Sequence, residues 1–526
     1  MNRQTLAAGG AGLALALSAL AGCTPSGGGD GDTDRRSQNQ ACPDLGEDLD
    51  PDATFSWTYS VDTSSFDPDK IADANAMLYL YPIYDSLVHV DPQGEPQPML
   101  AESWEISDDG NDLELTLIDA WTYHDGTPFD ADSVVANIQR KKQDGSYNQR
   151  ALSIVTDVEA LDERTVRLST EQAAGALVNI LGGSAGMMMS PAVMDDDTQD
   201  VSPTGGSGAY ELTEYVSGSR AEFTAVDGYW DPSVQNVDKL VFQISGDDNA
   251  RLNALTTGAT DASFLRPSQY EAGKNAGLTI CQGDDLLVYS MNLNTSEAEF
   301  GRSEVRAAIN HAIDREAVST VTEGFCRPSG QLYPDWYFAA GDAGPESSEF
   351  DPERARELLA EAGLEDGFDF ELQVVNLETY LQIAEIVQAN LAEVGIDMTV
   401  TPVENAVLKT NFSVDKSAQA IFYGEKAQSD PSLQTAAYYL PDGFNNPGGW
   451  GTDEITALYD ETLSGRTLEE RSSAYDALMS AVDEEVAPNI VLCHASTPYA
   501  MNDRVRGFRI WADGTHQFRG IGMAAQ

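Results

Sequence analysis

FDFELQVVNLETYLQIAEIVQANLAEVGIDMTVTPV, residues 368–403, is the stretch that decides the fold class. Residues 368–376 and 396–403 have the apolar patterning of strands, whereas residues 378–395 repeat apolar side chains with a helical period. A strand, a helix and a strand in this order form a βαβ unit. The sequence therefore predicts an open α/β sheet in the second half of the chain.

Capping signals before this stretch predict two further helices. Residues 303–324, SEVRAAINHAIDREAVSTVTEG, repeat apolar side chains at helical spacing, with Ser303 able to cap the start and Gly324 the end. Residues 351–363, DPERARELLAEAG, place Asp351 at an N-cap with a proline directly after it. We expect one helix from each of these segments.

Length and charge limit the classes of function. The chain has 526 residues, with 86 acidic against 30 basic side chains and a net charge of −56. A chain this long exceeds what one hydrophobic core usually organises, so two or more domains are expected. So negative a surface repels phosphate backbones, which excludes nucleic acid as a partner. The acidity indicates either a solvated exterior suited to a salty milieu or attraction of cationic solutes, and charge alone does not separate the two.

The first residues have the layout of an export signal that ends at a cysteine. The apolar run at residues 6–20 is shorter than the roughly 20 residues that a transmembrane helix needs. LAGC at residues 20–23 resembles the bacterial lipobox, in which the signal, here residues 1–22, is removed and Cys23 carries a diacylglycerol. The alternative is an ordinary secretory signal with an incidental cysteine. Residues 23–50 then form a flexible tether, which predicts a protein at the outer face of the cytoplasmic membrane.

The remaining cysteines predict disulfides rather than a metal site. An exported location permits bonds among Cys42, Cys281, Cys326 and Cys493 in three alternative pairings, and the other interpretation is reduced thiols in the core. None of them has C-x-x-C spacing, and the five histidines form no H-E-x-x-H motif. We therefore expect neither a metal nor another cofactor.

Six stretches, in chain order, resemble a single protein family. The resemblance runs from about residue 54 to the end of the chain and is to family 5 extracellular solute-binding proteins, the receptors of oligopeptide, dipeptide, nickel and related ABC importers. The stretches that carry it are LYPIYDSLVHVDPQGEPQPMLAESWEISDDG (80–110), YHDGTPFDADSVVANIQR (123–140), GSGAYELTEY (206–215), DGYWDP (227–232), NLNTSEAEFGRSEVRAAINHAIDREAV (292–318) and ERARELLAEAG (353–363).

The resemblance implies an α/β, two-lobed periplasmic-binding-protein-like fold of type II, enlarged, whose lobes are joined by two hinge segments. By analogy, the first lobe holds residues 51–290 plus 495–526 and the second holds residues 291–494. The crossings are then expected near residues 292–294 and 491–496. Solute is trapped between the lobes when they close.

The implied lobes also favour one cysteine pairing. A disulfide within one lobe stiffens that lobe without blocking closure, whereas a bond between lobes locks the hinge. This favours Cys42 with Cys281 and Cys326 with Cys493.

One departure from the family pattern affects the solute. The family's peptide receptors often have W-x-x-D shortly before a D-P, and that aspartate pairs with the ammonium group of a peptide. In FYGEKAQSDPSL, residues 422–433, Ala427 takes the aspartate position and Gly424 the tryptophan position. Because a buried ammonium needs a counter-charge, the usual peptide anchor is absent unless Glu425 replaces it.

Five residues are candidates for contact with the solute. The resemblance and their positions suggest Asn75, Tyr423, Glu425, Lys426 and Trp450. The alternatives are exposed loop positions for residues 423–426, a helix surface for Asn75 and a structural aromatic under a glycine-rich loop for Trp450.

A hydrolase is the remaining enzymatic alternative. GGSAG, with Ser184 at its centre, fits the G-x-S-x-G motif, but that motif needs a strand before it, and the preceding residues look helical. We therefore expect no catalytic residues. The function predicted first is a monomeric receptor that captures a peptide or peptide-sized solute and delivers it to an ABC permease in the membrane. A receptor for a non-peptide solute or for sensing is the alternative.

Overall fold

The structure is a computed structural model that describes residues 42–71, 74–171, 173–341, 348–426 and 428–525. The predicted signal, Cys23, the tether up to residue 41 and Ala427 lie outside the described residues. Among the helices of the described ranges, none combines the length and the apolar character needed to cross a membrane.

The described strands group mainly into three sheets. Their bounds are β1 Thr54–Tyr59, β2 Val88–Val90, β3 Pro96–Pro98, β4 Ala101–Ile106, β5 Asp112–Leu117, β6 Val155–Ala160, β7 Thr165–Thr170, β8 Tyr210–Val216, β9 Arg220–Ala225, β10 Lys239–Ile244, β11 Ala262–Phe264, β12 Thr279–Cys281, β13 Asp284–Leu293, β14 Cys326–Pro328, β15 Phe368–Val375, β16 Ile396–Val403, β17 Ala420–Glu425, β18 Asn489–Ser496, β19 Tyr499–Met501, β20 Val505–Arg506 and β21 Gly522–Met523.

The helices cover these sheets. Their bounds are α1 Met77–Leu80, α2 Ala131–Lys141, α3 Ala174–Ile180, α4 Asp248–Thr257, α5 Tyr270–Asn275, α6 Ser303–Ala312, α7 Arg315–Val321, α8 Pro352–Glu361, α9 Glu378–Glu393, α10 Asn405–Lys409, α11 Pro431–Tyr439, α12 Asp453–Ser464 and α13 Leu468–Glu484.

Strand order separates the sheets along the chain. The seven-stranded sheet has the order β12-β19-β11-β1-β10-β9-β8, and the four-stranded sheet has the order β4-β5-β7-β6. The six-stranded sheet, β14-β18-β13-β17-β15-β16, is built from the second half of the chain. The largest clusters of buried side chains lie one against each of these sheets.

The βαβ unit predicted at residues 368–403 is present. β15 and β16 pair in parallel over their whole length, from Phe368 opposite Ile396 to Val375 opposite Val403, and α9 connects them. Its apolar stripe, which includes Ile383, Val387 and Leu391, is buried in the core of this sheet. The helical and strand periods of this stretch therefore predicted its secondary structure correctly.

The single helix predicted for residues 303–324 is wrong, because the segment forms two helices. Ile313 takes an extended backbone conformation, with φ −93° and ψ 118°, and this ends α6. The side chain of Asp314 then accepts hydrogen bonds from the backbone N–H groups of Glu316 and Ala317 and caps α7. Apolar spacing continues across the break, so only the aspartate cap marked it. By contrast, Asp351 caps α8 as predicted.

The chain passes between the two larger sheets twice. It leaves the seven-stranded sheet at the end of β12 and enters the six-stranded sheet at Asp284, and it returns between Ser496 and Tyr499. Residues 284–290, expected in the first lobe, thus belong to a strand of the six-stranded sheet, since β13 pairs with β17 and β18. The limits of the lobes stay a prediction, and the chain changes sheets at residues 282–283 and 497–498.

Two disulfides join the four cysteines of the described residues. Cys42 bonds to Cys281, with Cα atoms 4.5 Å apart, and Cys326 bonds to Cys493, with Cα atoms 5.3 Å apart. This is the pairing that the family resemblance favoured. Cys281 lies in the seven-stranded sheet, whereas Cys326 and Cys493 both lie in the six-stranded sheet.

A buried ion pair holds the start of α11. The carboxylate of Asp430 accepts hydrogen bonds from both terminal nitrogens of Arg471, at 2.8 and 3.0 Å, and also caps α11 through Ser432 N–H. Arg471 lies in α13 and donates from Nε to the Thr462 carbonyl of α12. Burial alone would lower the pKa of Arg471, but the negative charge of Asp430 outweighs it and raises that pKa. The pair thus joins three helices.

We predict that Arg471→Leu lowers the free energy of unfolding by about 3–5 kcal/mol, because Asp430 stays buried without its counter-charge. Urea unfolding measures the change. The matched control is Arg466→Leu, since Arg466 forms an exposed salt bridge with Asp108, for which we expect about 1 kcal/mol or less. Equal unfolding midpoints for the two variants would contradict the prediction.

Candidate functional site

A narrow cavity lies where the segment between β20 and β21, here called the C-terminal segment, meets residues from the first and the second half of the chain. We call this cavity the cleft. Its lining comes from the β2–β3 turn, the turn that follows α3, strand β13, the segment between β14 and α8, the segment between β17 and α11, and the segment between β20 and β21. The lining residues are Val90, Asp91, Gly94, Gly182, Leu286, Tyr337, Gln428, Ser429, Trp511, Ala512, Asp513 and Gln517.

A second cavity adjoins the cleft and shares Gly182 and Gln517 with it. Arg519 lies in its wall and donates hydrogen bonds to Asp231 and to the hydroxyl of Tyr229, both at 2.8 Å. Burial and the nearby Arg519 charge lower the pKa of His89, in the same wall, to about 3. His89 is therefore neutral at physiological pH.

Both cavities are small. Their volumes are about 10 Å³ for the cleft and about 30 Å³ for its neighbour, room for roughly one or two water molecules. A solute larger than water therefore enters the cleft only if its two sides move apart.

Glycines allow the two sides of the cleft to approach closely. A Cβ atom on Gly94 would lie 2.7 Å from the Tyr337 ring, and one on Gly183 would lie 2.9 Å from Cβ of Ser429. The closest approach is between Gly175 in α3 and the carbonyl oxygen of Gly465 at the end of α12, where a Cβ would lie only 1.8 Å from that oxygen. Each of these contacts requires a glycine, because a Cβ atom there would clash with the opposite residue.

The Glu425 carboxylate lies in a polar cluster of the second half of the chain. It accepts hydrogen bonds from the hydroxyls of Tyr423, at 2.9 Å, and Tyr438, and from Asn445 Nδ2 at 3.2 Å. The ammonium group of Lys409 lies 3.7 Å from the carboxylate and 3.7 Å from the centre of the Tyr423 ring. The protein itself thus supplies the donors and the counter-charge that a bound ammonium would otherwise provide.

Lys426 is attached to the C-terminal segment. Its Nζ donates to the carbonyl oxygen of Gly514 at 2.5 Å, and its aliphatic stem packs over that glycine. Gly514 has φ +66°, a conformation that glycine adopts without strain. Lys426 therefore lies directly behind one wall of the cleft.

The other two predicted solute contacts lie elsewhere. Asn75 is exposed and accepts a hydrogen bond from the hydroxyl of Tyr59 at 2.9 Å. Trp450 packs edge-on against Tyr439 with ring centres 6.0 Å apart, and Asn446 brackets its backbone. Of the five predicted residues, none belongs to the lining of the cleft or of its neighbour as described. Their contact with solute stays a prediction.

Sequence reasoning missed the aromatic and acidic lining of the cleft. Tyr337, Trp511 and Gln517 are almost fully buried there, and Asp513 is half-buried beside them. A turn signal at Asp513 and Gly514, between aromatic residues, was the available clue. The approach of Trp511, Asp513 and Gln517 to the β2–β3 turn, more than 400 residues away, has no local signal.

Ser184 does not form a nucleophile elbow. It begins the 3₁₀ turn Ser184–Gly186, which follows helix α3 rather than a strand, and its hydroxyl donates to Asn148 Oδ1 at 2.6 Å. Met187, Met188 and Met189 after it are all core residues. The motif match is therefore a coincidence of small residues.

Comparison with known proteins gives consistent matches over most of the chain. The family described as bacterial extracellular solute-binding proteins, family 5 Middle, matches residues 95–446. The glutathione-binding protein GsiB of Shigella dysenteriae serotype 1 (strain Sd197) is 27% identical over 474 residues, 86% of this chain and 91% of the relative. It is a binding protein, in agreement with the expectation of no enzymatic activity.

Solved structures share the fold. The periplasmic binding protein DppA from Helicobacter pylori, in complex with the peptide STSA, has a TM-score of 0.77 and 22% identity, covering 91% of this chain and 99% of that one. NikA from Brucella suis, in complex with Fe(III)-EDTA, has a TM-score of 0.78 and 24% identity, with 90% and 100% covered. The α/β, two-lobed periplasmic-binding-protein fold predicted from the sequence is thus confirmed.

We predict that Gly175→Ala holds the two sides of the cleft apart. The added methyl group would overlap the Gly465 carbonyl, and such overpacking costs about 1–3 kcal/mol in the close arrangement. Small-angle X-ray scattering should give a larger radius of gyration than for the unaltered chain. Gly246→Ala is the control, because a Cβ there meets only one atom, at 4.0 Å. An unchanged radius for Gly175→Ala would contradict the prediction.

Proposed function

Because this chain belongs to family 5 of the bacterial extracellular solute-binding proteins, we propose that it captures a peptide or peptide-sized solute in the cleft and delivers it to an ABC permease. Members of this family act outside the cytoplasm, bind small solutes and work with ABC permeases. For this chain in particular, we propose the class of solute and the attachment to the membrane.

The observation that carries the proposal is the composition of the cleft wall. Both proposed lobes contribute to it. Val90 and Gly94 come from before the first change of sheet, and Tyr337 and Ser429 come from between the two changes. Enclosed sites between domains, with aromatic walls and few polar groups, are where proteins usually hold small ligands.

The proposed mechanism is hinge closure around the solute. We place one lobe at residues 42–281 plus 499–525 and the other at residues 284–496, so that two short connections form the hinge. A solute shifts the balance of open and closed forms only by its differential affinity for the closed form. Closure then slows release until the permease accepts the complex.

The proposed attachment to the membrane is a diacylglycerol on Cys23. The LAGC sequence at residues 20–23 and the polar residues after it support this assignment. Two acyl chains suffice for stable anchoring where one does not. The receptor would then stay near its permease.

A non-peptide solute is the second candidate, and the Glu425 cluster favours it. Ala427 holds the position of the usual ammonium-binding aspartate, and Glu425 already accepts from Tyr423, Tyr438 and Asn445. A peptide amino terminus would need another acid. The ligands bound in similar structures include both a peptide and a metal chelate.

The hinge mechanism predicts that closing the cleft first prevents binding. Gly183→Cys with Ser429→Cys places two Cβ atoms about 2.9 Å apart, shorter than the separation of about 3.5–4.5 Å that a disulfide needs. The bond therefore forms after a small outward shift of the two sides, and it then holds them together. The probes are di- to pentapeptides, sugars, cationic metabolites and metal chelates in a thermal-shift assay. A ligand at 100 times its Kd stabilises the unaltered chain by about 2.7 kcal/mol.

We expect the oxidised double variant to show no such shift and the reduced one to recover it. Ser429→Cys alone controls for the new thiol. Equal shifts for the oxidised and reduced forms would refute closure around the solute, and the absence of any shift in the unaltered chain would argue against solute capture.

The lipid anchor predicts the distribution of the protein in cells. Cys23→Ser should move most of the protein from the membrane fraction to the soluble exported fraction, since the acceptor of the lipid is lost. Immunoblotting of the fractions measures this, with Ser18→Ala in the same signal as control. Retention of Cys23→Ser in the membrane fraction would exclude the anchor.

A further inference from the structure

We propose that Asp513 supplies the negative charge that binds a cationic group of the solute. This inference rests on the proposed function and names the chemical class of solute, an organic cation with an amine group. The acid lies on the C-terminal segment and not in the segment between β17 and α11, where the family's peptide receptors place theirs.

The charges of the cleft wall favour a cation. Its lining includes two carboxylates, Asp91 and Asp513, and within the described part of the chain no lysine or arginine belongs to it. His89 in the adjoining wall is neutral near pH 7, because burial holds its pKa at about 3. Arg519 in the same wall is paired with Asp85 and Asp231, at 3.6 and 2.8 Å. A positive group entering the cleft therefore meets net negative charge.

Both carboxylate oxygens of Asp91 accept hydrogen bonds within its own hairpin. Its Oδ1 accepts from the backbone N–H groups of Gln93 and Glu95, at 2.9 and 3.0 Å, and its Oδ2 accepts from Gln97 Nε2 at 3.0 Å. Each oxygen thus has a donor from the β2–β3 hairpin. The structural role of Asp91 leaves Asp513 as the acid for recognition.

Asp513 has one satisfied oxygen and one weakly bound oxygen. Oδ1 accepts from the backbone N–H and the hydroxyl of Thr515, at 2.9 and 2.7 Å. The contact of Oδ2 is with the hydroxyl of Tyr81 at 3.5 Å, long for a bond between a hydroxyl and a carboxylate. Burial raises the pKa of Asp513 despite these bonds and the nearby Lys426 charge. A cation beside Oδ2 would offset that cost of burial.

The charge of Lys426 acts on Asp513, but its ammonium group donates elsewhere. It donates to the Gly514 carbonyl, and the salt bridges within 4.0 Å among the described residues do not include Asp513. The carboxylate is thus only partly compensated within the protein.

Aromatic rings complete the cation-binding surface. Tyr337 and Trp511 line the same cavity as Asp513, and both are at least nine-tenths buried. The electron-rich faces of such rings attract ammonium and guanidinium groups, most strongly where water is excluded. The net charge of −56 also draws cations toward the protein from a distance. Short-range and long-range electrostatics therefore favour the same class of solute.

The experiment uses the small-solute pool of a yeast extract, divided by ion exchange into cationic, neutral and anionic fractions. Each fraction is added to the full chain in a thermal-shift assay, and the active component is purified and titrated by calorimetry. The variants are Asp513→Asn, which keeps the shape of the side chain, and Asp503→Asn, which removes the same charge from an exposed position between β19 and β20.

We expect the cationic fraction to give the largest rise in melting temperature. Asp513→Asn should weaken the purified component by roughly 30-fold or more, and Asp503→Asn should bind it as the unaltered chain does. The comparison of fractions on the unaltered chain does not depend on any variant folding.

Two other results would overturn the assignment while leaving solute capture intact. One is a rise with the neutral or anionic fraction that equals or exceeds the rise with the cationic fraction. The other is an unchanged Kd for Asp513→Asn. If no fraction raises the melting temperature, the proposed capture of a small solute fails, and the role of Asp513 fails with it.

Discussion

The antiparallel pairing of β13 with β18 is the constraint on which the rest of the structure depends. Both passages of the chain between the two larger sheets begin or end in these neighbouring strands, with Asp284 opposite Ser496. The hydrogen bonds between the two strands keep the passages side by side, so in the proposed hinge closure the parts they connect would turn about one line without separating. The disulfides respect this arrangement, because Cys42–Cys281 lies on one side of it and Cys326–Cys493 on the other. Covalent bonds thus stiffen each part without crossing the line of motion.

Local signals in the sequence predicted the elements that depend on local physics. The βαβ unit at residues 368–403 and the Asp351 cap follow from apolar period and capping, which act within a few residues. The break at Ile313 was missed because the apolar period continues through it. The role of Glu425 was open in the sequence, since its partners Tyr438 and Asn445 reach it only through the packing of α11 and the loop after it. Asp513 had no sequence signal for binding, because its surroundings come from segments more than 400 residues apart.

Two buried arginines bind backbone oxygens inside the protein. Arg306 donates to the carbonyls of Phe300, Glu485 and Val486, and Arg315 donates to the carbonyls of Asn310, Ser348 and Val491. Burial lowers the pKa of each arginine to about 10, yet both stay charged at neutral pH. These side chains tie loops together through backbone oxygens and do not neutralise carboxylates.

The Cys42–Cys281 bond has a mechanical consequence. It attaches the beginning of the described chain to the last residue of β12, three positions before β13 begins. A pull on the residues that precede Cys42 would therefore act close to the proposed hinge axis, where its lever arm is short and its torque small. A receptor held by its amino-terminal end could therefore open and close many times without stretching the segment that anchors it. Thermal motion of that segment would favour neither the open nor the closed form.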